Sequence, residues 1–197
     1  MKKINKIFFK ILFLFFVTFS FEAKSKVISI GSPDSKITIK VFSSLTCPAC
    51  ANFHSKIFYK LKEDFIDKGL VKFEHHPFPL NLAALNAEII LNCHVDNDNK
   101  IKFLGKIYEK QRLWVVGSDI NKINELIKKI GKEANLDEKK MNNCLNSEKL
   151  QDEILDQTII AQKKYKIEST PTILINEKKY TGKVEYKNFK REIEKKL

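Results

Sequence analysis

The sequence predicts an α/β fold in which one mixed sheet is flanked by helices and a block of helices is inserted after the third strand. Three observations predict it. Short strand-like runs stand near both ends of the chain, while residues 81–165 carry almost unbroken helical periodicity. One strand-like run leads straight into a Cys-Pro-Ala-Cys sequence that opens a helix-like run. A Ser-Thr-Pro-Thr turn stands just before a second apolar strand.

The elements follow in order. Lys2, Lys3, Lys6 and Lys10 make a positive n-region, Ile11 to Phe21 an apolar stretch of 11 residues, and Ala23-Lys24-Ser25 a small-residue cleavage site. Residues 1–25 therefore read as a secretory signal peptide. The stretch is too short to span a bilayer comfortably, and if it stays uncleaved it becomes a membrane anchor. Val27 to Ile30 reads as a first strand, ended by the turn Gly31-Ser32-Pro33-Asp34. Ile37 to Ser43 alternates and then turns apolar, as a central strand does. Cys47 to Lys68 reads as a helix with Phe53, Ile57, Leu61 and Phe65 at spacings of four, closed by Gly69. Val71 to His76 is the third strand, stopped by Pro77-Phe78-Pro79.

The helical block then begins. Leu82, Leu85, Ile89 and Cys93 share one face, and a further helix is expected over Lys100 to Arg112. Ser118 or Asp119 caps the next, whose buried face is Ile120, Ile123, Ile127 and Ile130. Asp137 caps a short helix through Cys144, and Leu150 to Tyr165 marks a long one. Thr172 to Ile175 is a strand, turned by Asn176-Glu177-Lys178-Lys179 into a short partner strand at Lys179 to Thr181. Val184 to Leu197 is a terminal helix. The expected domains are 26–80 with 166–197 for the sheet domain, and 81–165 for the inserted helical subdomain. About 172 residues after the signal peptide are enough for one core.

The formal charge is +12, of which +4 leaves with residues 1–25, where five lysines face one glutamate. The remaining lysines are scattered among acids, and no basic stripe is interleaved with aromatics. Nucleic-acid binding is therefore not expected.

Chemistry concentrates at Cys47-Pro48-Ala49-Cys50. At a helix start the unpaired N–H groups and the positive end of the macrodipole favour an anion, so Cys47 ionises easily and becomes the nucleophile. Pro48 suits a first helical turn because it has no N–H to lose. A strand feeding a helix that opens with Cys-x-x-Cys is a thioredoxin-type redox arrangement. Pro171 cannot donate to a sheet ladder and belongs at a strand start. Chain mechanics leave cis and trans Thr170-Pro171 nearly even; beside this Cys-x-x-Cys pair the cis form is expected. The Thr170 backbone would then face the cysteines and pair with an extended substrate chain.

Val41 to His54, with Cys47-Pro48-Ala49-Cys50 at its centre, resembles the active-site segment of the DsbA family of exported thiol–disulfide oxidoreductases. Ser169-Thr170-Pro171-Thr172 and the following Ile173-Leu174-Ile175-Asn176 resemble that family's cis-proline loop and strand. The resemblance covers essentially the whole chain after residue 25. It implies a thioredoxin-like fold and a periplasmic protein that introduces disulfides into exported proteins. It also implies Cys47 as the exposed nucleophile and Cys50 as the resolving partner, with reoxidation by a DsbB-type membrane partner. The expected clients are unfolded exported proteins with free thiols. The redox-active cysteine pair needs no further cofactor, and a monomer is expected.

Three departures qualify the likeness. Ala49 stands where the family often has histidine, which implies a weaker oxidant. Val41 stands where many thioredoxin-like enzymes keep a buried acid, so Glu74, His75 or water has to serve. Threonine before the proline also occurs in reductases and isomerases, so an exported reductase or isomerase is the rival within the redox class. The lack of a separate dimerisation domain before Val27 speaks against an isomerase.

Cys93 and Cys144 are left over. In an oxidising compartment such cysteines pair more often than not, and some relatives carry a second disulfide in this region. The alternative is two buried free thiols packed as small apolar groups. A non-enzyme reading is a copper or zinc metallochaperone, because Cys47, Cys50 and His54 fall at i, i+3 and i+7 of one helix. Of His75 and His76, which alternate across a strand, only one can point inward. Trp114 and Phe78 are expected in the core.

Overall fold

The computed structural model describes residues 27–197. The signal-peptide expectation for residues 1–25 lies outside them. Among the described residues no helix is long and apolar enough to cross a membrane.

Five strands form one mixed sheet in the order β1-β3-β2-β4-β5. They are β1 (Ile28–Ile30), β2 (Ile37–Ser43), β3 (Val71–Pro77), β4 (Thr172–Ile175) and β5 (Lys178–Lys179). The central strand β2 runs parallel to β3 and antiparallel to β4. A parallel pair needs a crossover, and the helix that begins at Cys47 supplies it. That route leaves the cysteines at the C-terminal end of β2, where open α/β sheets keep their sites.

The crossover helix spans 48–66 and is α-helical at α1 (Pro48–Phe53) and α2 (Tyr59–Leu61). π-helical turns occupy His54–Phe58 and Lys62–Ile66. The sequence explains them. Apolar residues four apart drift off one face of a regular 3.6-residue helix. The wider i→i+5 turns restore the stripe, and Phe53, Ile57, Leu61 and Phe65 are all buried. The helix ends at Ile66 rather than Lys68, and Gly69 follows with φ +72°.

The inserted block comprises α3 (Leu82–Asn92), α4 (Asn97–Glu109), α5 (Gln111–Trp114), α6 (Ile120–Glu133), α7 (Glu138–Leu145) and α8 (Glu148–Tyr165). Side chains cap five of them: Asn81 before α3, Asp96 before α4, Asp119 before α6, Asp137 before α7 and Ser147 before α8. The Asp96 cap moves the start of α4 three residues ahead of the expected Lys100, and a break at Lys110 splits off α5. The chain closes with α9 (Tyr186–Glu194), shorter than the expected 184–197. The second strand of the β4–β5 hairpin also lies earlier, at Lys178–Lys179, because Asn176 and Glu177 take the left-handed turn positions.

Two apolar layers enclose the sheet. One face, with Ile37, Ile39, Val41, Val71 and Phe73, packs under Phe53, Ile57, Leu61, Ile107, Trp114, Phe189 and Ile193. The other, with Phe42 and Leu174, packs under Ala161, Ile167 and Phe78. Trp114 and Phe78 are core residues, as expected. His75 and His76 alternate across β3 as expected, with His75 enclosed and His76 only partly covered on the other face. His76 stacks on Phe42, with ring centroids 4.8 Å apart. His75 is buried on the opposite face.

Candidate active site

Cys47 occupies the N-cap of α1 with extended backbone angles, and Pro48 is the first helical residue. Unlike the five capped helices of the insertion, α1 has no side-chain cap. No side-chain oxygen therefore competes for its first-turn N–H groups, and those of Ala49 and Cys50 reach the Cys47 sulfur, although the Cys50 N–H also meets the Cys47 carbonyl at 3.1 Å. Across the site the Thr170–Pro171 peptide is cis. The Cys47 thiol donates to the Thr170 carbonyl at 3.4 Å. Two segments 123 residues apart thus meet at one sulfur.

Both cysteines carry free thiols, with Cys47 partly exposed and Cys50 buried. Their environments push them apart. Burial raises the Cys47 thiol, but the Thr170 side chain, the Cys50 N–H and thiol and the Ala49 N–H outweigh it and leave it below its ordinary value. For Cys50, burial and the neighbouring Cys47 push the thiol up to about 12. The pair therefore holds one reactive thiolate and one protonated reserve thiol, which is what stepwise disulfide exchange requires.

A residue that the sequence did not single out holds this loop. The Gln111 amide, on α5, donates to the carbonyls of Leu45 at 2.8 Å and Cys47 at 3.0 Å. A neutral glutamine among charged neighbours, three positions before Trp114, is its only sequence signal. Beside the cysteines, Ala49 and Pro171 border a groove completed by Asn52, Phe53, Lys56 and Tyr186.

The metal reading does not come together. A π-turn begins at His54, whose ring stacks on Phe58 at 4.5 Å and lies 5.1 Å from Tyr108. Burial, reinforced by His75, lowers its pKa to about 3. Among the described residues no group of three or more His, Cys, Asp or Glu side chains is placed to hold a metal ion. Glu74 is also not behind the cysteines. It shares a sheet face with His76, not with Val41. His76, with Lys72, outweighs burial there and holds its carboxyl down to about 2. Cys93 and Cys144 form a disulfide with Cα atoms 6.1 Å apart, joining the end of α3 to α7.

Residues 23–195 match the family described as Thioredoxin. Disulfide bond formation protein D of Bacillus subtilis is 34% identical over 180 residues, covering 85% of this chain and 76% of its own length. The crystal structure of Wolbachia pipientis alpha-DsbA1 superposes with a TM-score of 0.79 at 27% identity, covering 86% of this chain and 90% of that one. The chain is a DsbA-like member of the thioredoxin family. A relative from Rickettsia bellii that bears the name protein-disulfide oxidoreductase is 31% identical over 162 residues, or 82% of this chain. This DsbA-like chain spans about three fifths of the length of that Rickettsia relative, 61%. The oxidised Bacillus subtilis BdbD structure gives a TM-score of 0.73 at 27% identity, covering 86% of this chain and 92% of that one. The DsbA-like fold, with its helices inserted after β3, is the one expected from sequence.

Proposed function

We propose that this protein is a thiol–disulfide oxidoreductase that donates the Cys47–Cys50 disulfide to exported proteins. The observation that carries the reading is the uncapped start of α1, with Cys47 at its N-cap beside Thr170 and Cys50 enclosed behind it. A substrate thiolate attacks Cys47 of the oxidised pair, forming a mixed disulfide and releasing Cys50, which takes up a proton. A second substrate thiolate attacks the substrate sulfur, closes the substrate disulfide and expels Cys47 as a thiolate. The lowered Cys47 pKa makes it a good leaving group. Thr170 and Pro171 line the substrate side, and an extended chain would pair with the Thr170 backbone.

Unfolded proteins with free thiols are the clients in this reading. A DsbB-type membrane partner restores the disulfide, the protein acts as a monomer outside the cytoplasm, and the cysteine pair is the sole redox group. The relatives' names and the basic, apolar start of the sequence support it.

Trapping tests the role of each cysteine. Cys50→Ala, first charged at Cys47 as a mixed disulfide with glutathione, should pass to a mixed disulfide with a reduced, unfolded client that carries one free thiol, releasing glutathione and leaving a reducible adduct on electrophoresis. Cys47→Ser should give none and lose all oxidation of the client. Adducts that persist in Cys47→Ser would overturn the assignment.

A further inference from the structure

Cys50 must gain a proton when it is released and lose one when it attacks, yet it is buried and its strand neighbour Val41 is apolar. The polar function lies one strand over. In the parallel β2–β3 register Val41 sits opposite His75, so both face the layer that holds Cys50. His75 Nε2 and Glu88 Oε1, from α3, are 2.9 Å apart. Both residues are enclosed, His75 at 1% exposure and Glu88 at 0%. Glu88 is the one charged residue in an otherwise apolar turn of α3, with Ala87, Ile89, Ile90 and Leu91 buried around it.

Tyr108 of α4 is buried in the same cluster as Cys50, and its phenol feels the charges of Cys50, Glu88 and Cys47. Burial, then the charges of Cys50 and Glu88, raise its phenol; the Ser43 side chain opposes them and Cys47 adds to them. His54 packs on the Tyr108 ring from the helix that carries the cysteines. Glu88 Oε2, the Tyr108 phenol oxygen and His54 Nε2 are all buried without a hydrogen-bond partner among the described residues. Unpartnered buried polar atoms are uncommon and call for a reason. Three such atoms, from α3, α4 and the cysteine-bearing helix, are enclosed in the apolar layer that covers the Val41 face of the sheet.

We infer that the Glu88–His75 pair, acting through Tyr108, is the proton relay for Cys50, in the role an acid on β2 would otherwise fill. The inference rests on the exchange chemistry proposed for Cys47 and Cys50. When Cys50 attacks a mixed disulfide on Cys47, the Cys47–Cys50 bond forms and the substrate thiolate leaves with the electron pair. The Cys50 proton passes to the relay. In the reverse step the relay returns it. Glu88, His75 and Tyr108 touch no substrate; they act on Cys50. The titratable groups around the relay are Cys47, Cys50 and His54 from the helix after β2, His75 from β3, Glu88 from α3 and Tyr108 from α4.

The test uses the full chain with Cys93–Cys144 intact. Reduced protein is mixed with oxidised glutathione, and the release of glutathione as Cys50 resolves the Cys47 mixed disulfide is followed from pH 6 to pH 9. Glu88→Gln, which keeps shape and a hydrogen bond to His75, should slow release at least about fivefold at pH 6, a modest part of the usual proton-transfer contribution. The gap should shrink below about twofold at pH 9, where hydroxide takes the proton directly. A smaller loss at pH 6, or an equal loss at every pH as a merely structural defect would give, overturns the relay. Should Glu88→Gln not fold, His75→Gln is read by the same two thresholds. If wild-type protein releases no glutathione at all, the exchange chemistry itself fails, a result distinct from a failed relay.

Discussion

Cys47 and Cys50 stand three residues apart and differ in burial and in hydrogen bonding. The lowered pKa of one and the raised pKa of the other give opposite linkages. The Cys47 thiolate stabilises the reduced fold above the thiol's unfolded pKa, and that contribution fades as pH falls through its lowered value. The Cys50 thiol contributes below the unfolded pKa, and its share is lost as pH rises toward about 12. Alkylation of the reduced protein by iodoacetamide should therefore modify Cys47 with a midpoint below that of an ordinary thiol and leave Cys50 intact through pH 9. Equal labelling of both, or an ordinary midpoint for Cys47, would contradict this. Cys47, Pro48 and Cys50 were legible in the sequence because their chemistry is local. Glu88 and Tyr108 were not, because strand register and the crossing of α3 and α4 decide what stands behind a cysteine. The expectation fell on Glu74 and His75; period-2 alternation sends Glu74 to the wrong face, and only His75 joins the cluster.

Caps explain most of what was legible in the helices. Asp119 and Asp137 each accept from a first-turn N–H, and such contacts are encoded within three residues; Ser147, which the sequence did not single out, caps α8 in the same way. Boundaries slipped where the determinant was less obvious: Asp96 starts α4 early, and the π-turns after Phe53 come from a spacing of four that a sequence read as ordinary helix does not reveal. The short α5 has a role out of proportion to its four residues. Gln111→Leu keeps the volume and leaves the Leu45 and Cys47 carbonyls without their donor, which should cost about 1–3 kcal/mol. Urea unfolding would show it as a lower midpoint with an unchanged slope. An unchanged midpoint would mean that the amide does not hold the loop. The disulfide between α3 and α7 ties down the other end of the insertion, away from the exchange chemistry.

The molecule as a whole brings together two segments that lie far apart in the chain. Residues 37–50 and 169–175 come together because β4 pairs antiparallel with β2, Phe42 opposite Thr172 and Ile39 opposite Ile175. That pairing sets Thr170 above Cys47, and the inserted helices shield the layer that holds Cys50. The layout was legible from element order, since parallel β2 and β3 demand a crossover and a long helical run between strands demands an insertion. The partition of the core into two layers was not, because it depends on which helix covers which face. Direction of electron flow also belongs to this scale, since it reflects the balance of the whole site between its thiolate and disulfide states. Ala49 in place of a histidine implies a weaker oxidant, Thr170 is compatible with either direction, and the uncapped helix start, which favours the Cys47 thiolate, fits a disulfide donor. The most direct test is the reduction potential of Cys47–Cys50, equilibrated against glutathione in protein that also carries Cys93→Ala and Cys144→Ala. Disulfide donation predicts a value between about −120 and −180 mV, the range of strong oxidants and isomerases. A value near about −270 mV, like that of thioredoxin, would contradict it and make the protein a reductase.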